Sequence, residues 1–166
     1  LCPGAEFGPA KQWPPASFAS LANHATAHGW QGWLMGGPGD QKIANEIMAS
    51  CQVTTAVINL VGQTTIAEAI DLLASADAVV SNDSGLMHIA AATNTPVVGI
   101  FGSSSEQHTP PLGDNATSIF NSIDCRPCFA RHCPLGHTKC LSELRADHVI
   151  NALSKLLAYS SPQLTI

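Results

Sequence analysis

The stretch Ala78-Val79-Val80-Ser81-Asn82-Asp83-Ser84-Gly85-Leu86-Met87-His88-Ile89-Ala90-Ala91-Ala92-Thr93-Asn94-Thr95-Pro96-Val97-Val98-Gly99-Ile100-Phe101 decides the fold. Its first apolar run, Ala78 to Ser81, is too short for a helix and reads as a buried strand. Asn82-Asp83-Ser84 then offers favoured helix caps, and Gly85 to Thr93 reads as a helix. Pro96 to Phe101 is apolar on successive residues, as in a strand covered on both faces. A strand, a helix and a second strand in so few residues make a parallel crossover unit.

The same alternation extends outward. Upstream, Thr65 caps a helix from Ile66 to about Ala76, and Val57 to Val61 is a short strand. A helix from Gln41 to Ser50 places Ile43 and Ile47 on its inner side. Before it, Trp30 to Met35 is a strand that ends at Gly36-Gly37-Pro38-Gly39-Asp40. From Pro15 to about His28 a helix turns Phe18, Leu21, Ala22 and Ala25 to one face; Pro14-Pro15 opens it and Gly29 stops it. Downstream, Thr117 to Phe120 is one more strand, and a helix closes the chain from about Arg145 to Tyr159. The expected architecture is α/β and doubly wound on a mainly parallel sheet (Rossmann-like). Leu1 reads as the last residue of a strand that supports the Gly/Pro-rich loop up to Pro14, so the chain is expected to be a fragment. Residues 1–166 are expected to form one domain.

Composition narrows the function. With 45% apolar and 11% charged residues and a net charge of −5, the chain is globular and has no basic stripe for a nucleic-acid backbone. No apolar run reaches transmembrane length, and the start lacks the pattern of a signal peptide, which points to the cytoplasm and to reduced thiols. There is neither a Gly-x-Gly-x-x-Gly fingerprint nor a Walker loop, which disfavours a nicotinamide-dependent dehydrogenase.

Ligands of open α/β sheets bind beyond the carboxyl ends of the strands. That rule selects the loops 1–14, 36–40, 82–88 and 102–111. In the third, the first turn after Ser84 presents unpaired backbone N–H groups, and Gly85 lets a phosphate come close. His88 falls one turn further along the same face as Ser84 and can donate to a phosphate oxygen. Against this stands the plain alternative that Asp83 or Ser84 only caps the helix and His88 packs on the sheet. Lys11 is a candidate phosphate cation, or else a solvated surface lysine. Asp40 is a candidate ribose ligand, or else a helix cap. Trp13 reads as core.

Taken together, Cys2-Pro3-Gly4-Ala5-Glu6-Phe7-Gly8-Pro9-Ala10-Lys11-Gln12-Trp13-Pro14 and Asn82-Asp83-Ser84-Gly85-Leu86-Met87-His88 resemble the heptosyltransferases of glycosyltransferase family 9. Ala91-Ala92, Pro96, Gly102, Ser104-Ser105 and Thr109-Pro110-Pro111 fit the same pattern. Glu6-Phe7-Gly8 and the cysteine insert favour the type II branch over type I. The resemblance implies the C-terminal half of a two-domain GT-B fold. It implies inverting transfer of L-glycero-D-manno-heptose from ADP-heptose to the lipopolysaccharide core, at the inner face of the inner membrane. The acceptor and the base would belong to an absent N-terminal half, so this stretch alone would bind ADP or ADP-heptose without turnover. By that resemblance Lys11 meets the diphosphate, Asp40 the ribose, Ser84, Gly85 and His88 surround the diphosphate, and Asp83 lies near the sugar or its linking phosphate. No metal is implied for catalysis. The rival readings are a GT-B enzyme with a uridine or guanosine donor and, from another class, a metal-stapled interaction module.

Four of the six cysteines, Cys125, Cys128, Cys133 and Cys140, cluster in the insert 124–140, with His132 and His137 among them. A Cys-x2-Cys pair is the usual half of a zinc site, although the full spacing is not a standard ribbon. Structural zinc, reduced thiols and adventitious disulfides are the three open readings. The insert follows the last strand and is expected to play no catalytic part.

Overall fold

A computed structural model describes residues 1–160; residues 161–166 of the expected single-domain span lie outside it. The described residues hold five strands, β1 (Gly32–Leu34), β2 (Val57–Asn59), β3 (Val79–Asn82), β4 (Val97–Phe101) and β5 (Ala116–Phe120); helices alternate with them up to β4, and β5 follows β4 with no helix between. The helices are α1 (Pro15–Ala27), α2 (Gln41–Ser50), α3 (Ile66–Ser75), α4 (Gly85–Ala92), α5 (Lys139–Ser142) and α6 (Ala146–Ser160). The expected elements are all present with ends shifted by a few residues. Thr65 caps α3 as its sequence demands, accepting from the Glu68 amide while the Glu68 carboxylate accepts from the Thr65 amide.

β1 pairs with β2, and β3–β4–β5 form a second ladder, every pairing parallel. Leu1 and Cys2 join the two. The Met35 amide donates to the Leu1 carbonyl on one side, at 2.9 Å. On the other, the Cys2 amide donates to Val80 and the Asn82 amide to Cys2, at 2.9 and 3.2 Å. The order across the molecule is therefore β2, β1, Leu1–Cys2, β3, β4, β5. The chain runs from its first segment outward to β2, then returns across the centre to β3 and proceeds the other way. The winding reverses between Leu1–Cys2 and β3, and a crevice opens at such a point.

Each sheet face is covered. Alternate strand residues Val80, Val98 and Ile100 pack with Trp13, Phe18, Leu21, Ile47 and Val149 under α1, α2 and α6. Val79, Val97 and Phe101 pack with Leu73, Met87 and Ala90 under α3 and α4. Gly99 sets the second spacing, because a Cβ there would stand 2.6 Å from the Met87 sulfur.

Candidate functional site

The two loops flanking the reversal are tied to each other. Asn82, fully buried, accepts from the Trp13 amide at 3.0 Å and donates to the Pro3 carbonyl at 2.7 Å. Trp13 is fully buried as expected, with its indole N–H on the Leu144 carbonyl at 2.8 Å. The 3-10 turn Pro9–Lys11 thereby sits at a fixed height above the end of β3.

Across the crevice Lys11 Nζ stands 2.6 Å from Asp83 Oδ2, with the two side chains only 16% and 4% exposed. The Thr109 hydroxyl donates to Asp83 Oδ1 at 3.2 Å, and the Phe7 ring lies 5.0 Å from Lys11 Nζ. Lys11 is thus not a solvated surface lysine. One of its three donors holds Asp83, and its charge is balanced there. Asp83 is not a helix cap either: its carboxylate serves the loops.

Ser84 occupies the N-cap position of α4, yet its side chain makes no cap bond; its hydroxyl lies 3.2 Å from that of Ser81. First-turn N–H groups have no carbonyl four residues back; in α4 the Met87 amide is turned onto the Ser84 carbonyl at 3.2 Å, which leaves the Gly85 and Leu86 amides as the donors at the helix start. A Cβ placed on Gly85 would meet nothing within 4 Å, so the helix start faces open space on the Gly85 side. His88 is exposed and does not pack on the sheet. The structure therefore brings Lys11, Asp83, Ser84 and Gly85 to one edge, a cation, an anchor and a helix N-terminus, with exposed His88 further along α4.

Asp40 lies across the neighbouring loops. Although at the N-cap position of α2, it makes no cap bond there, and Oδ2 instead accepts from the Gly37 amide at 3.0 Å. Its carboxylate fills the space that a Cβ on Gly4 would take. Burial raises its pKa above the ordinary carboxylate value, the Gly37 N–H partly opposes this, and nearby Glu6 adds to it.

Several contributors carry no signal as isolated residues. Asn82 reads as turn chemistry until its two long-range bonds are seen. Thr109 belongs to the family-like pattern without an evident partner. Ser103 and Ser104, 1% and 4% exposed, have hydroxyls without hydrogen-bond partners among the described residues. Arg126 donates to the Gly102 and Ser104 carbonyls and to Glu106 at 2.9 Å. Against the burial that would raise it, Arg126 holds the Glu106 carboxyl below its usual range.

The cysteine insert follows the last strand, as expected, and packs against the loops of the site. It folds back over them: the Ala10 amide donates to Arg131 O at 3.1 Å, and the Phe129 amide to Ser103 O at 2.7 Å. Cys125, Cys128, Cys133 and Cys140 are all free thiols. Among the described residues, no group of three or more His, Cys, Asp or Glu is already gathered closely enough to hold a metal ion.

A doubly wound parallel sheet with a helix N-terminus and a tethered lysine at its reversal point is an arrangement in which open α/β sheets take their ligands. The model of glycosyltransferase family 9 (heptosyltransferase) matches residues 1–139. The chain is 48% identical over 121 residues to lipooligosaccharide heptosyltransferase 2 of Haemophilus influenzae, which covers 72% of this chain and 35% of that one. The solved Escherichia coli ADP-heptose lps heptosyltransferase II superposes with a TM-score of 0.85 at 38% identity, over 96% of this chain and 46% of that one. The Escherichia coli heptosyltransferase WaaC with ADP shares the fold, with a TM-score of 0.73 at 22% identity over 93% and 43%. The chain belongs to glycosyltransferase family 9. It spans less than half the length of these relatives.

Proposed function

We propose that this chain is the donor-binding half of an inverting heptosyltransferase, seating ADP-heptose for transfer to a lipopolysaccharide core. The observation that carries the reading is the open N-terminus of α4 with Gly85 beside free space and Lys11 fixed at the same edge by Asp83. Two phosphates of a sugar nucleotide suit such a seat, since N–H groups and a helix dipole favour anions without further desolvation. In support, a neighbour in the fold was solved with ADP.

The roles follow from where each group stands. First-turn N–H groups and the Ser84 hydroxyl meet the diphosphate, and exposed His88 donates to it as negative charge grows on the departing ADP. The two donors of Lys11 not spent on Asp83 reach the same oxygens. Donors that strengthen as the leaving group gains charge lower the barrier rather than only the binding energy. Asp83 lies next to the linking phosphate and acts by holding Lys11 and Thr109. Asp40 offers its second oxygen to the ribose. The acceptor and the base that deprotonates it belong to the other half of the enzyme, and the whole works at the cytoplasmic face of the inner membrane.

Calorimetric titration of ADP into the wild-type chain and into His88→Ala tests the reading. Binding of ADP that weakens in the variant and exceeds that of UDP and GDP is expected. A folded wild-type chain that takes up no ADP sinks it.

A further inference from the structure

The donor-site reading leaves the cysteine insert without a purpose, and its four thiols line one cavity without being drawn to ligating distance of a common point. Cys125, Cys128, Cys133 and Cys140 line one small cavity, with Ser103 and His137 at its walls. Its volume of about 20 Å³ admits one occupant of water size. From these observations we infer that the four cysteines bind a single zinc ion as a tetrahedral set of thiolates, pinning the insert onto the donor-site loops.

Three independent features support it. The first is chemical: four sulfurs on a cavity of one-ion size match the commonest structural zinc set, and zinc adds no redox chemistry to a reduced compartment. Drawing in sulfurs that already share one cavity is a smaller change than gathering them from separate surfaces. The second is the turn from Cys133 to Thr138. Gly136 takes a φ of +71° there, its amide donates to the Cys133 carbonyl at 3.1 Å, and the Thr138 amide donates to Cys133 Sγ at 3.4 Å. An amide aimed at sulfur suits an ionised thiolate better than a neutral thiol. The third is Ser103, 1% exposed, whose hydroxyl has no partner among the described residues although it lines this cavity. A buried hydroxyl without an acceptor is costly, and a metal-bound thiolate supplies one.

The position explains why a staple would matter. Between β5 and α5 the chain runs through residues 121–138 with no strand or helix, longer than most connections in a domain. Yet this stretch supplies the Arg131 carbonyl that holds Ala10, next to Lys11, and the Phe129 amide that holds Ser103. Arg131 also donates to the Phe7 carbonyl at 3.1 Å. An ion joining Cys125 and Cys128 to Cys133 and Cys140 ties both ends of the stretch, and through it both loops.

Metal analysis of the whole chain, purified without chelator from cells given zinc, tests this directly. About one zinc per chain is expected, falling to near zero in Cys128→Ser and in Cys133→Ser but unchanged in Cys51→Ser, whose thiol lies outside the cluster. Cobalt exchanged into the wild type should show the sulfur-to-metal charge-transfer and strong visible bands of a tetrahedral thiolate site. Cys128 is exposed, so its serine variant is expected to fold, with its circular dichroism as the check. Absence of stoichiometric zinc in the wild type, zinc retained in both cluster variants, or an octahedral cobalt spectrum would overturn the inference.

Discussion

Consider the replacement of Lys11 by Met. The Asp83 carboxylate is 4% exposed and would keep only the Thr109 hydroxyl, 3.2 Å away, as a side-chain donor. At 2.6 Å, with an effective dielectric constant near 20, the gross attraction lost is on the order of 6 kcal/mol. Part of that is offset because Lys11 no longer has to leave water. Removing one partner of a buried pair costs about 3–5 kcal/mol, and the lower end applies because water still reaches Lys11. For a domain of this size about 3 kcal/mol corresponds to a Tm lower by roughly 6–12 °C. Thermal unfolding of the wild type, Lys11→Met, Asp83→Asn and the double variant completes a cycle. The double variant should be far less damaged than the two single effects added, with a coupling of at least about 2 kcal/mol. Additive effects, or a Lys11→Met transition within a degree of wild type, would refute the argument that this pair holds the two loops across the crevice.

Other consequences separate binding from stability. Gly85→Val should leave the Tm within about 2 °C, since its Cβ meets open space and the position sits at a helix start, while ADP affinity measured by calorimetry falls at least tenfold. Asn82→Ala strands the buried Trp13 amide and Pro3 carbonyl, and chemical denaturation should show a loss of about 2–5 kcal/mol. Because burial raises the Asp40 pKa, the folded chain holds that proton more tightly than the unfolded one. The wild type should therefore gain stability relative to Asp40→Asn as pH falls from neutral through the carboxylate range, and lose that advantage as pH rises again. Denaturation midpoints of the two proteins across that range check the sign.

The fold was legible because its strands are short apolar runs and its helices carry their own stops. Thr65, Pro14-Pro15 and Gly29 fixed boundaries locally, and tertiary packing had nothing to override. The site was legible in part. Ser84 and His88 stand four positions apart at the start of α4, so helix geometry alone relates them, and that much could be read from spacing. Whether Asp83 caps a helix or meets a lysine 72 positions away depends on strand order, and that is decided by the sheet. Asn82 was silent for the same reason. The course of the cysteine insert was not legible, because it is set by Arg126, Phe129 and Arg131 bonding back to earlier loops, which no periodicity records.

Amide mapping is the most direct test of the seat itself. With isotopically labelled chain titrated by ADP, the Gly85 and Leu86 amides should shift most and the phosphate resonances of ADP should move with them. Shifts confined to other ends of the sheet, with those two amides unmoved at saturation, would contradict the account.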